Sequence, residues 1–209
     1  MRSLPTLELL RSPRMTFCLR AAATALWFAA ACAGQSPPLS TRTPLEPAEL
    51  YPLDTGNAWS YDVDTGEASA TLAITRVEAF DGRIAEVHTG RAVVRYEVLA
   101  EGIRVPPGDE WLLRAPLVEG AKWPGRGGRS ARLISIETSV ETPAGSFDGC
   151  VEVLETGGKL ELEVRTVYCP GVGPVSLAST MRSNVSDRAV TVSAKLRGYE
   201  VSPLPPSHH

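Results

Sequence analysis

Val190–Arg197 reads VTVSAKLR, in which Val190, Val192, Ala194 and Leu196 alternate with Thr191, Ser193, Lys195 and Arg197. A period of two sends successive side chains to opposite faces of an extended chain, so this stretch predicts a strand with one buried and one wet face. The same spacing recurs upstream. Leu160, Leu162, Val164 and Tyr168 alternate with Glu161, Glu163 and Arg165. Ala92, Val94, Tyr96 and Val98 alternate with Arg91, Arg95 and Glu97, and Ile134, Ile136 and Val140 with Ser135, Glu137 and Glu141. Half-buried strands of this kind pair antiparallel.

Turn chemistry separates these runs at Asp64–Gly66, Asp81–Gly82, Thr89–Gly90, Pro107–Asp109, Gly157–Gly158 and Asn184–Asp187, each suited to a short hairpin loop. The pattern predicts an all-β fold, an antiparallel meander of about nine to eleven strands that curls into a barrel or half-barrel. Such a sheet either fills its interior with side chains or encloses a cavity, and both outcomes stay open at this level.

Ahead of the strands stands AAATALWFAAAC, Ala21–Cys32, directly after Arg20. A basic start, a short apolar middle and small residues before a cleavage point are the requirements of a secretory signal peptide, here residues 1–31. The run ends too soon to span a bilayer, since Pro37 and Pro38 follow Gln35. Met15, which opens MTFCLR before the apolar run, suits the start of translation better than Met1. The stretch resembles the bacterial lipobox, with Ala29 where leucine is commonest, and the resemblance implies Cys32 as the lipidated residue. Ala33 after that cysteine implies sorting to the outer membrane, facing the periplasm. The alternative is a soluble secreted or periplasmic protein cut near Ala33. Residues 32–49, rich in proline, serine and threonine, read as a tether, residues 50–201 as one β-rich domain, and residues 202–209 as a disordered tail.

Loss of residues 1–31 removes four arginines and one glutamate, and the formal charge moves from −3 to −6. An acidic chain of this kind argues against a nucleic-acid partner, which draws on clustered lysine and arginine. The basic cluster Arg126–Arg129, in PGRGGRS, is expected on an exposed glycine-rich loop.

Three motifs punctuate the domain: YPLDTGNAWSY (Tyr51–Tyr61), TPAGSFDGC (Thr142–Cys150) and YCPGVGPV (Tyr168–Val175). Together with LLRAPLVEGAKW (Leu112–Trp123) they resemble a group of bacterial exported proteins and lipoproteins with a YPL-x-x-GN-x-W-x-Y opening, a PAG-x-F strand lead-in and a PGVG turn. Pro174 departs from the leucine frequent in that group. The resemblance implies an exported β-rich fold and no activity. Read physically, Trp59 and Tyr61 share one strand face against Ser60 and Asp62, and the glycines around Phe147 and Val172 suit tight turns.

Cys150 and Cys169 remain after the signal and anchor cysteines are set aside, and an oxidising periplasm favours their pairing. A two-residue turn at Gly157–Gly158 would put Cys150 opposite Arg165, leaving Cys169 roughly 13 Å away along the strand. A disulfide spans only about 4.4–6.8 Å between Cα atoms, so a bulge at Asp148–Gly149 or a kink at Pro170 would have to absorb the offset.

Other candidates carry less chemistry. His88 stands without a second histidine or a cysteine at metal-ligand spacing, and Asp62, Asp64 and Glu67 lack the remaining ligands of a calcium loop. No serine lies in a G-x-S-x-G elbow, and Asn184-Val185-Ser186 is an incidental glycosylation match. No catalytic residue, metal or cofactor is expected. The chain reads as a non-enzymatic, lipid-anchored envelope protein binding a hydrophobic ligand or envelope component on a curved sheet. Alternatives are an assembly protein of the outer membrane and, more remotely, an envelope hydrolase using His88.

Overall fold

The computed structural model describes residues 44–67, 69–159, 161–182 and 189–203. The signal Ala21–Cys32 with Met15 and the expected anchor Cys32, most of the tether, Leu160, Asn184–Asp187 and the end of the tail lie outside the described residues.

Twelve strands are present among the described residues: β1 (Ala58–Asp64), β2 (Thr71–Phe80), β3 (Ile84–Thr89), β4 (Ala92–Leu99), β5 (Gly102–Val105), β6 (Glu110–Arg114), β7 (Lys122–Pro124), β8 (Arg129–Thr142), β9 (Gly145–Gly157), β10 (Leu162–Cys169), β11 (Gly173–Arg182) and β12 (Ala189–Glu200). They form one antiparallel sheet in the order 6-5-4-3-2-1-12-11-10-9-8-7. Apart from β6 and β7, every strand pairs with its sequence neighbours, and β1 pairs with β12, so the meander rolls into a nearly closed barrel. The strand count exceeds the expected range by one. The seam lies between β6 and β7. Across it, the carboxylate of Glu110 accepts the backbone N–H groups of Gly127 and Gly128 at 3.1 and 3.3 Å.

Residues 44–53 close one end. A single helical turn, α1 (Pro47–Leu50), starts with a capping box of Glu46 and Glu49 and packs against both β5 and β11. Leu50, Tyr51 and Leu53 are buried there, so packed structure begins a few residues ahead of Leu50. Backbone N–H of Gly171, in the β10–β11 turn, donates to Glu49 O at 2.8 Å and ties this plug to the sheet.

Period two assigns most faces, and three features depart from the sequence expectation. In β8, Ala131 and Leu133 point into the core rather than Ile134, and register shifts between Leu133 and Val140 then turn Ile136 and Val140 inward. Such bulges change which parity faces the core. Glu97, expected wet, is buried because Arg83 and Arg104 both lie over its carboxylate. Those two hydrogen-bonded guanidinium groups, Arg104 foremost, hold it below the usual carboxylate range.

The third departure concerns the β9–β10 loop. Leu162 pairs with Gly157, so the loop spans residues 158–161 instead of two, with Glu161 N donating to Gly158 O. Glycine at 157 and 158, with φ of 95° and 79°, supplies the left-handed backbone this wider loop needs. The longer loop slides β10 back by four positions relative to the two-residue turn. Tyr168 therefore faces Val151, and Cys169 arrives beside Cys150 without a compensating bulge or kink.

Candidate functional site

Inward stripes of seven strands converge on the barrel interior. Trp59, Tyr61 and Val63 follow one another on β1, Val77, Thr75 and Ala73 on β2, and Leu196 and Ala194 on β12. At the α1 end these positions are fully buried. Farther along, they line a cavity of about 260 Å³ with Val87 and Thr89 of β3, Val94 and Tyr96 of β4, Thr166 and Tyr168 of β10, and Leu177 of β11. Small or β-branched side chains (Ala73, Thr75, Val94, Ala194) leave this space where bulkier ones would fill it. The volume lies just below the roughly 300–1,000 Å³ of small-molecule sites.

An aromatic floor closes the cavity toward α1. Tyr51 packs against Trp59, Tyr96 and Tyr168, with ring centroids at 5.3, 5.9 and 6.5 Å. Burial drives the hydroxyl of Tyr51 well above the ordinary phenol range, and Tyr96, Tyr61 and Tyr168 reinforce it while Arg126 opposes. The phenols of Tyr61, Tyr96 and Tyr168 are raised in the same way, burial being the foremost cause. All four are neutral hydrogen-bonding groups across the physiological range.

Arg126 is the charged side chain lining this space. It belongs to the single turn Arg126–Gly128, which β7 and β8 hold between them, and Gly127 at φ 64° bends the chain back. Its backbone N–H donates to Glu155 Oε1 at 3.0 Å, and the other carboxylate oxygen accepts from Arg129 at 3.2 Å. Arg126 reaches that oxygen only at 3.9 Å, an ion pair without a hydrogen bond. Gly125 makes room for the arrangement, since a Cβ there would lie 2.7 Å from Glu155 Oε1. The basic loop expected on the surface is thus folded inward: the Arg126 side chain is 30% exposed and that of Arg129 13%. A buried carboxylate needs such partners.

No family model matches the chain, and no curated protein matches it. Among solved structures, a Bacteroides fragilis protein described as a candidate exported protein with a YmcC-like fold is similar over 72% of this chain and 98% of its own. Identity is 14% and the TM-score 0.47.

The sequence motifs meet in space. Trp59 Nε1 donates to Val172 O at 2.6 Å and the Tyr61 hydroxyl to Pro174 O at 2.8 Å, so the YPL-x-x-GN-x-W-x-Y and PGVG segments lock together across 113 residues. Gly173 permits this contact: at φ 109°, any Cβ would sit 2.9 Å from the Trp59 ring nitrogen. Because Tyr61 uses a backbone carbonyl, proline at 174 offers the same acceptor as leucine would. Asn57 Nδ2 donates to Pro52 O, and Asn57 Oδ1 accepts Ser202 N, which pins the end of the domain to its beginning. Ala144 N, in the PAG turn, donates to Leu196 O, and Phe147 packs on Tyr199.

Cys150 and Cys169 are joined, with Sγ atoms 2.07 Å and Cα atoms 4.3 Å apart. His88 lies on the outer face of β3, its Nε2 3.0 Å from Glu86 Oε1, away from the cavity. Asp62 pairs with Arg197 across β12, and Asp64 Oδ1 accepts Gly66 N to close a turn. Sequence reasoning missed Arg126 and Glu155 as site residues. One signal was present: Val151, Val153 and Glu155 share one parity on β9, which places a carboxylate on an otherwise apolar face.

Proposed function

We propose that this chain is a non-enzymatic protein of the bacterial cell envelope, lipid-anchored at Cys32, whose barrel binds a hydrophobic ligand. The interior cavity of about 260 Å³ is the observation that carries the reading: Val63, Ala73, Val87, Val94, Leu177 and Ala194 offer an apolar wall, and the tyrosine floor and Arg126 offer a few convergent polar groups. Export and anchoring draw support from Ala21–Cys32, whose apolar run and small residues suit signal processing. Several acyl chains, at about 0.8 kcal/mol per buried methylene, make a firm anchor. Mass spectrometry of organic extracts of the purified protein tests the ligand, and a consistently empty barrel that also takes up no added amphiphile defeats it. Fatty-acid labelling of wild type and Cys32→Ser tests the anchor; equal labelling of both defeats lipidation and leaves a soluble secreted or periplasmic protein.

A second reading, an assembly protein of the outer membrane, draws on Leu72, Ile74 and Val93, which point outward from β2 and β4 and are each more than half exposed. Crosslinking in intact cells from Ile74 should then capture one specific neighbour, and capture of none counts against it.

A further inference from the structure

The cavity is chemically graded. Near the opening, Val63, Ala73, Leu177 and Ala194 surround it, and the same inward stripe continues along β11 and β12 to Met181 and Val190, which pair with each other and are 38% and 51% exposed. Large apolar side chains facing water on the inner side of a barrel wall suit an apolar chain laid along them. At the floor the chemistry reverses. Two guanidinium groups, Arg126 and Arg129, share the one carboxylate of Glu155, so this inner cluster holds an excess positive charge. The nearby carboxylate of Glu110 is engaged by the backbone N–H groups of Gly127 and Gly128.

Both arginines leave a buried Nε without a hydrogen-bond partner, but Arg129 is turned to Glu155 and hydrogen-bonded to it, whereas Arg126 lines the cavity, where its guanidinium meets the Tyr96 hydroxyl. A buried donor without a partner is costly in free energy, and a guanidinium presents five donors in a planar fork that matches a carboxylate or phosphate. Tyr51, Tyr96 and Tyr168, neutral phenols around the same point, can each donate a further hydrogen bond to an anion.

Resting on the ligand-binding reading, we infer that the cavity takes an anionic amphiphile: a carboxylate or phosphate head at Arg126, with an alkyl chain running along β11 and β12 toward the opening. Calorimetric titration of the purified full chain with decanoate, decyl phosphate and decanol tests this, because the three share a chain and differ only in the head. At least one anionic probe should bind about 10-fold or more tighter than decanol, the scale of a charge-assisted hydrogen bond, and whichever wins distinguishes a fatty acid from a phosphate ester. Arg126→Gln should erase that preference and leave decanol unchanged, and Ala194→Trp should weaken all three.

Decanol binding as tightly as both anions in the wild type, with Ala194→Trp still blocking it, overturns the head-group assignment and leaves the ligand-binding reading standing. No binding of any probe defeats both. Should Arg126→Gln fail to fold by circular dichroism, the wild-type comparison still decides, supplemented by the Arg126 Nε–Hε resonance. That resonance should move on adding the tighter-binding anion and stay in place with decanol, and an unmoved signal at saturating anion overturns the assignment.

Discussion

The two ends of the barrel interior are built from the same strand faces and yet behave differently. On β1, Trp59 is 1% exposed whereas Val63, four residues on, faces the cavity; on β12, Leu196 is 0% exposed and Val190 51%. The closed end is sealed by α1 and the β10–β11 turn, which bring large side chains and hydrogen bonds such as Trp59 Nε1 to Val172 O. Toward the other end the described strands carry alanine, valine and threonine inward, with no comparable plug among the described residues. Identical periodicity thus yields a scaffold at one end and a binding space at the other. Depth along the strand, not face, separates them.

Raising the pH should break the closed end first and most completely. The buried phenols of Tyr51, Tyr61, Tyr96 and Tyr168 titrate above the ordinary phenol value because burial disfavours their charged form. Groups raised in this way contribute stability that is full below the unfolded value of about 10 and is lost as pH climbs from there toward the folded values. Near-ultraviolet circular dichroism across that range should show tertiary unfolding rather than simple phenol titration. On the acid side Glu97 works in the opposite sense, its stabilisation being lost as pH falls through its lowered folded value.

Trp59→Ala is expected to cost about 3–5 kcal/mol, read by urea denaturation, since it opens a void in the plugged end and removes a bond to the turn. Replacing Cys150 and Cys169 by alanine, which opens a loop with a sequence separation of 19, should cost about 3 kcal/mol in the same assay. Tyr61→Phe removes only the hydrogen bond to Pro174 O, and about 1 kcal/mol is expected. Val190→Ser sharpens the contrast from the other side. It should change stability by no more than about 0.5 kcal/mol while weakening alkyl-chain binding, and a loss as large as that of Trp59→Ala would abolish the distinction between the ends.

Much of this was legible beforehand. The faces of β1, β4, β10 and β12 follow from alternation, and turns such as Asp81–Gly82, where Asp81 Oδ1 accepts the N–H groups of Arg83 and Ile84, follow from local chemistry. What escaped were features decided by register and by contacts between distant segments. A bulge in β8 swaps Ile134 for Leu133 in the core, a four-residue loop brings Cys169 to Cys150, and PGRGGRS turns inward because Glu155 awaits it. Each depends on a partner far away in sequence, which no window of neighbouring residues contains.

The amino-acid sequence by itself determined that the chain is an antiparallel β meander and which side chains of the unbulged strands point inward, because a period of two and glycine-bearing turns act within a few residues. Only the tertiary structure decided how deep each inward residue lies, that β1 closes on β12, and that Arg126 meets Tyr51, Tyr96, Tyr168 and Glu155 beside a cavity. Those outcomes arise from strand register and the α1 plug, which set separations between residues as far apart as Tyr51 and Tyr168.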